Sequence, residues 1–298
     1  MYRLDIHADD YGLSESNARI LIEAIKQGQL NSISIIPTMD CFPECMDMFK
    51  EAWDSFPVKP LITVHIDLVD GRSQADNSNF ITNSWGSLFL ASCFSLNKKE
   101  IKAELVKEIK AQIVKVVDAL PQMKELRLDS HMHTHMIPIV ADAMWEAYDI
   151  YAEESGADAL PLTFVRIARE PAGPFLKKTG LYKTYSPINF VKNMILNILA
   201  GRIERQCEKR GLEKTLLWGL IMTGNMDIDR VRTCFDSVCN VAKRKDRYLE
   251  ILFHPAGIMA KERRECHNKD DIAAFYLADG RATELKAIQK LREFAAKE

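Results

Sequence analysis

The sequence predicts an α/β protein: one parallel β/α barrel-like domain spanning residues 1–298. Three observations carry this reading. Strand-like and helix-like runs alternate from end to end, as parallel sheets with helical crossovers require. About seven such units follow one another with no linker, repeat or low-complexity tract, which favours a barrel over a doubly wound sheet. Six of the seven histidines lie at the ends of just four apolar runs, where parallel α/β folds collect ligands and catalysts.

Taken in order, residues 1–7 read as a strand, with Leu4 and Ile6 alternating against Arg3 and Asp5. Ser14 is placed to cap a helix that runs to about Lys26 and stops at Gly28. Residues 32–36 form a strand ended by Pro37, residues 43–53 a helix, and residues 61–66 a strand. The stretch 71–96 is Asn/Ser-rich at first and has no clear period, so it reads as a long loop. Residues 98–120 give the cleanest helix: Ile101, Leu105, Ile109 and Ile113 recur every four residues, with Glu and Lys interleaved on the other face. Then follow a strand at 126–128, a helix at 139–153, a strand at 163–167 and a helical stretch at 189–210. A strand at 216–223, a helix at 229–243, a strand at 249–254, and helices at 270–278 and 283–297 complete the chain. The segment from about 175 to 212 reads as a helical insertion, with a lid or a homodimer contact as its two candidate uses.

Composition narrows the classes. Hydrophobic residues at 47% and charged residues at 28% fit a folded globular chain. A net charge of −2 offers no overall field for nucleic acid or an anionic membrane. No apolar run approaches the ~18 residues of a membrane span, and the first residues lack the apolar core of a secretory signal, so a cytoplasmic location is expected. Seven cysteines, an odd number without a Cys-x-x-Cys, argue against a disulfide framework or a zinc knuckle.

The chemistry gathers in four places. Asp9 and Asp10 are adjacent carboxylates at a strand end. Neighbouring side chains of extended backbone point apart, but a turn there can bring both to one cavity, one to bind metal and one to take a proton from water. The same pair also suits a helix cap beside a solvated charge. His65 follows an apolar run and alone would suit a buried, hydrogen-bonded histidine. Asp129-Ser130-His131-Met132-His133-Thr134-His135 is far more specific: extended backbone would put its three imidazoles on one face. His254-Pro255 offers a general acid at another strand end. His267 sits in a charged stretch and reads as exposed. Together these sites predict an active face built from strand C-termini, with a divalent metal and a spare carboxylate.

These motifs resemble those of the YdjC-like carbohydrate deacetylases. His7-Ala8-Asp9-Asp10-Tyr11-Gly12-Leu13-Ser14 is similar to their ADDFGLS-type opening, and Val64-His65-Ile66-Asp67-Leu68 with Gly71 to their second motif. Asp129 to Met136 is similar to their DSHHHVHM, and Phe253-His254-Pro255-Ala256 to their HPA or HPG. Arg166, the segment 223–226, and Arg281 with Glu284 also fit the pattern, in the right order over essentially the whole chain. The resemblance implies a distorted TIM-type barrel of the glycoside hydrolase/deacetylase superfamily. It implies one divalent metal ion, Mg²⁺ or Zn²⁺, held by Asp10, His65 and His131. Asp9 would be the base on water, and His254 would assist the leaving amine or the oxyanion. The implied reaction removes an N-acetyl group from a small carbohydrate, an amino sugar or a chitooligosaccharide. His7 stands where Asn is more usual and Met132 where His is more usual; neither touches the implied ligand set.

Around that set, His7, His133, His135 and Asp129 are expected to sit behind the ligands and orient them. Arg166, Tyr11 and Trp85 are the substrate-binding candidates, the two aromatics by stacking on a sugar face, with ordinary packing as the alternative. Two imidazoles with a carboxylate suit a zinc-like ion. Two other readings compete: a metal-dependent phosphoesterase or other amidohydrolase, drawing positive charge from Arg166 or Arg281, and a non-catalytic metal-binding module.

Overall fold

A computed structural model describes residues 3–75, 84–259, 262 and 276–295. Seven parallel strands form one sheet: β1 (Leu4–Tyr11), β2 (Ser32–Ile35), β3 (Leu61–Ile66), β4 (Leu126–Ser130), β5 (Leu162–Val165), β6 (Thr215–Trp218) and β7 (Tyr248–Phe253). Their order is β5-β4-β3-β2-β1-β7-β6. The two edges curl toward each other until they nearly join. Just past β5, Ile167 N–H donates to Thr215 Oγ1 at 3.1 Å and Arg169 C=O accepts from Leu217 N–H at 2.9 Å. The result is the expected α/β fold, a distorted barrel.

The crossovers are helical. They are α1 (Glu15–Lys26), α2 (Phe42–Ala52), α3 (Trp85–Phe94), α4 (Lys98–Ala119), α5 (Pro138–Ser155), α6 (Gly173–Leu176), α7 (Pro187–Lys209), α8 (Ile228–Arg244) and α9 (Gly280–Ala295). Ser14 caps α1, accepting from Asn17 N–H. Ile109, Ile113 and Val116 of α4 are buried against the sheet, as their spacing predicts. Of the segment read as a loop, residues 85–94 instead form α3. Ser84 and Ser87 make a reciprocal capping box at its start. Its apolar residues surround the helix rather than lining one face, so no period announces it; only Leu88 is buried. Residues 76–83, 270–275 and His267 lie outside the described residues. Among the described residues, no helix is long and apolar enough to cross a membrane.

The strands sort their side chains in an unusual way. Ile6, Ala8, Ile33, Ile35, Ile62, Val64, Leu126, Leu128, Leu249 and Ile251 point outward into the apolar core shared with the helices. The alternate positions (Asp5, His7, Asp9, Ser32, Ser34, Thr63, His65, Arg127, Asp129 and Glu250) are polar and buried, so they line the barrel axis. At its foot, Arg127 donates to Asp5 at 2.9 Å and lies 3.9 Å over the Phe164 ring. Higher up, Arg166 reaches across the axis to carboxylates from β1, β4 and β7. Such pairs can span the sheet only because it is curled.

Candidate metal centre

β1 runs four residues past its predicted end, and that extension builds the site. Asp10 has φ 68°, in the left-handed region, and the pairing of β1 with β2 slips between Ala8 and Tyr11. Plain strand geometry would point Asp9 and Asp10 apart. The slip brings both carboxylates to the same end of the barrel axis.

Asp10 Oδ1 lies 3.1 Å from His131 Nδ1 and 3.5 Å from His65 Nε2, while Asp10 Oδ2 accepts from Arg281 at 2.9 Å. One ligand atom each from Asp10, His65 and His131 falls within 4.8 Å of the others. Burial would raise the Asp10 carboxyl, but the hydrogen bond from His131 and the neighbouring His65 imidazole outweigh it and hold the group well below the usual carboxylate range. His65 Nδ1–H donates to Asp129 Oδ1 at 2.7 Å, which fixes its ring and turns Nε2 toward Asp10. On the far side of His131, Tyr276 Oη meets Nε2 at 3.0 Å. Tyr276 comes this close because Gly257 has no side chain: a Cβ there would stand 2.1 Å from the Tyr276 carbonyl oxygen.

These residues fit a divalent cation on three counts. His65 Nε2 is buried and has no hydrogen-bond partner. Burial would lower the two imidazoles, yet the carboxylates around them raise His65 well above its usual range and raise His131 too, so positive charge is favoured at this spot. Among the described ion pairs, Arg166 and Arg281 face four carboxylates, those of Asp9, Asp10, Asp129 and Glu250, so with the imidazoles neutral, as metal ligands must be, the set is short of two positive charges. Two imidazoles and a carboxylate are a familiar donor set for zinc-like ions.

Beside the cluster, Asp9 is gripped by Arg166 through two bonds of 2.9 and 2.8 Å, and it accepts from His7 Nε2 at 3.0 Å. Burial opposes its charge, but Arg166 and the imidazoles of His65 and His7 prevail and hold it well below the ordinary range. Arg166 also binds Glu250, and Asp129 Oδ2 at 2.8 Å. It is fully buried on the axis, where it meets carboxylates and not the cleft. Asp129 is pulled to about 2, burial losing to Arg166 and His65. His254 Nε2 lies 3.9 Å from Asp9 Oδ2, and its side chain is 15% exposed, the most open of this group. Its backbone N–H donates to Glu284 at 2.6 Å; burial drops its imidazole to about 4.

The histidine-rich motif is not extended. His131–Met136 is a 3-10 turn in which Met132 (φ 53°) and His133 (φ 54°) are left-handed. The three imidazoles therefore do not share a face. His131 joins the metal cluster. His135 Nε2–H donates to the Arg166 carbonyl at 2.9 Å, and Ser130 Oγ bonds both its Nδ1 and its N–H, so it braces the turn against Arg166. His133 bonds none of the three ligands among the described hydrogen bonds. His7 bonds Ser32, Ser34 and Asp9.

The two aromatic candidates make their described ring contacts with other aromatic side chains. Tyr11 is fully buried against Phe49, donating to the Cys45 carbonyl at 2.6 Å, so it packs in the core. Trp85 stacks on Phe89 at the start of α3. Tyr276 and Glu250 were not among the sequence-derived candidates. Glu250 had a signal, a lone charge at an alternating position of an apolar strand; Tyr276 had none.

A family model described as YdjC-like protein matches residues 3–295. Among solved structures, the chain is similar to an Enterococcus faecalis V583 protein described provisionally as a cellobiose-phosphate cleavage protein. The TM-score is 0.59 at 16% identity, over 99% of this chain and 94% of that one. Identity that low speaks to the fold alone. No curated protein matches the chain. The family match extends over nearly every residue that builds the barrel and its buried cluster, and the chain belongs to the YdjC-like protein family.

Proposed function

We propose that this protein is a metal-dependent hydrolase that removes an N-acetyl group from an amino sugar or chitooligosaccharide-type carbohydrate. The observation that carries the reading is the placement of Asp9 and His254, 3.9 Å apart, beside the Asp10–His65–His131 cluster. A metal-binding module needs neither residue; an amide hydrolase needs both.

In this reading Asp10, His65 and His131 hold the ion. A bound divalent metal lowers the pKa of water from 15.7 to about 7 and polarises a carbonyl oxygen. Asp9 takes the water proton as the oxygen attacks the acetyl carbon. Arg166 keeps that carboxylate aimed by its two-pronged grip, acting through Asp9 and not on the sugar. His254, left neutral by burial, relays to the amine nitrogen the proton that Asp9 took from water as the C–N bond breaks, releasing acetate and a free amino sugar. His254 is the group of this set most open to solvent, which suits the side the leaving amine departs from.

A phosphoesterase is the weaker reading. Its phosphate would need an uncommitted cation, and both Arg166 and Arg281 are buried against carboxylates.

The test is acetate release from N-acetylglucosamine oligomers by metal-loaded protein, with Asp9→Asn and His254→Ala in parallel. Release by the wild type, and a drop of about 100-fold or more in both variants, supports the assignment. Absence of acetate with Mg²⁺, Zn²⁺ or Mn²⁺ despite tight metal binding would sink it.

A further inference from the structure

Segment 171–203 carries charge of one sign. It holds Lys177, Lys178, Lys183, Lys192 and Arg202 and no Asp or Glu, in a chain whose net charge is −2. Arg202 is matched by Asp142 at 2.6 Å. Among the described residues, the four lysines form no ion pair. Lysines elsewhere are matched: Lys102 meets Glu146, Lys107 meets Glu104 and Lys110 meets Glu154. The nearly balanced total therefore conceals a local cationic surface.

The same segment exposes apolar side chains in a pattern. α7 buries Asn193, Leu196, Ala200 and Ile203 against the barrel. At about 100° per residue, Ile188, Val191, Met194 and Ile198 fall together on the opposite side of the helix. They are between 50% and 73% exposed. Leu176 and Tyr182, just before the helix, are exposed as well. Single exposed apolar residues are ordinary on a protein surface, but a stripe of four on one helix is not. Met194 and Ile198 also border an open cleft of about 570 Å³, walled on its other sides by Pro171, Ala172 and Phe190. Polar groups at its floor are already engaged. Asn193 and Asn197 donate to the Glu170 carbonyl, and Asn193 donates to the Glu170 carboxylate.

Charge decides what covers this face. Two copies in a twofold contact would set the patch on itself, lysine against lysine with no carboxylate from the segment between them. An anionic lipid surface complements both features at once: its headgroups attract the lysines, and its acyl boundary receives the apolar stripe. We propose that segment 176–198 docks the protein on an anionic lipid membrane, with α7 lying in the plane of the interface. The cleft beside Met194 and Ile198 gives an acyl chain an apolar wall to lie against.

The docking face adjoins the metal centre's end of the barrel. α7 begins on the side where the strands finish, and Asn189 in its first turn donates to the Ile221 carbonyl just past β6 at 3.3 Å. Docking therefore brings the Asp10–His65–His131 end of the barrel close to lipid. The inference stands apart from the acetyl-removal reading and survives its failure.

The test is co-sedimentation of the full chain with phosphatidylglycerol–phosphatidylcholine vesicles and with phosphatidylcholine vesicles alone. Binding is expected to the first and not the second. It should fall steeply as salt rises from about 0.1 to about 1 M, where the screening length shrinks from about 10 to about 3 Å. Lys183→Gln/Lys192→Gln should weaken binding about 25-fold, about fivefold per lysine. Met194→Ser/Ile198→Ser should weaken it at least tenfold. All four side chains are exposed, so both variants should keep the wild-type Tm. No binding to anionic vesicles, equal binding to both vesicles, or binding that neither variant weakens overturns the proposal. So does a dimer in sedimentation velocity that Met194→Ser/Ile198→Ser dissolves, which would give the stripe to a second copy. Binding to soluble polyglutamate as tight as to the vesicles would give it to an acidic protein and overturn the proposal too.

Discussion

Asp129 accepts a 2.7 Å hydrogen bond from His65 Nδ1, and this one contact decides which nitrogen of His65 faces Asp10. The same carboxylate accepts a hydrogen bond from Ser34 Oγ and one from Arg166, so the ring is fixed from a fully braced base. Carboxylates that orient a ligand histidine in this way typically matter 10–100-fold for metal affinity. Asp129→Asn should weaken Zn²⁺ binding by about that factor, read by competition with a chromophoric chelator. An unchanged affinity would show that His65 is oriented some other way.

Metal should also stabilise the fold. A ligand at about 100 times its Kd adds about 2.7 kcal/mol to the folded state. Adding Zn²⁺ to chelator-treated protein should raise Tm by several degrees, and His65→Ala should abolish the rise. The same rise in His65→Ala would place the stabilising ion elsewhere.

Arg166 gives a sharper test because it never reaches the cleft. Lysine keeps the charge but cannot fork onto Asp9 while holding Glu250 and Asp129. Arg166→Lys should lower kcat at least tenfold and leave KM within about twofold, with a stability loss of about 3 kcal/mol from the disturbed buried cluster. A KM effect alone would return Arg166 to substrate binding, as its sequence position suggested.

A fourth prediction concerns pH. Glu170, fully buried beyond β5, accepts from the N–H groups of Gly219, Leu220 and Ile221 and from Asn193. Burial nevertheless lifts its carboxyl from 4.5 to about 7. It binds its proton more tightly folded than unfolded. Its contribution is therefore complete below about pH 4.5 and is lost as pH rises through 7, up to about 3 kcal/mol in all. Comparing urea midpoints of wild type and Glu170→Gln across pH 4.5–8 should show the wild type losing ground as pH rises. Parallel curves would contradict the assignment.

Much of the fold was legible because its periodicities are local. The every-four-residue stripe of α4, the Ser14 cap of α1, and the apolar runs ending at His65 and His254 can all be read without knowing what they pack against. Three features escaped for physical reasons. Alternation of Leu4, Asp5, Ile6, His7, Ala8 and Asp9 looks the same whether the polar face meets water or a charged barrel axis. α3 is apolar all round and so has no stripe to detect. The turn at His131–Met136 depends on two left-handed residues, neither of them glycine, and is braced where its own His135 meets the Arg166 carbonyl 31 positions away. Tyr276 reaches His131 across 145 positions of sequence, a pairing no local pattern encodes.

The polar axis also bears on how such proteins diversify. Arg166 meets three carboxylates, His7 bonds two serines and an aspartate, and Asp129 serves three partners, so none of them changes alone without stranding its neighbours. At the surface, Phe94 of α3, Met132, and Met194 and Ile198 of α7 are open to solvent and carry few such ties. Drift is therefore channelled outward. Descendants of this barrel keep the axis nearly intact and are free to change the surface around it.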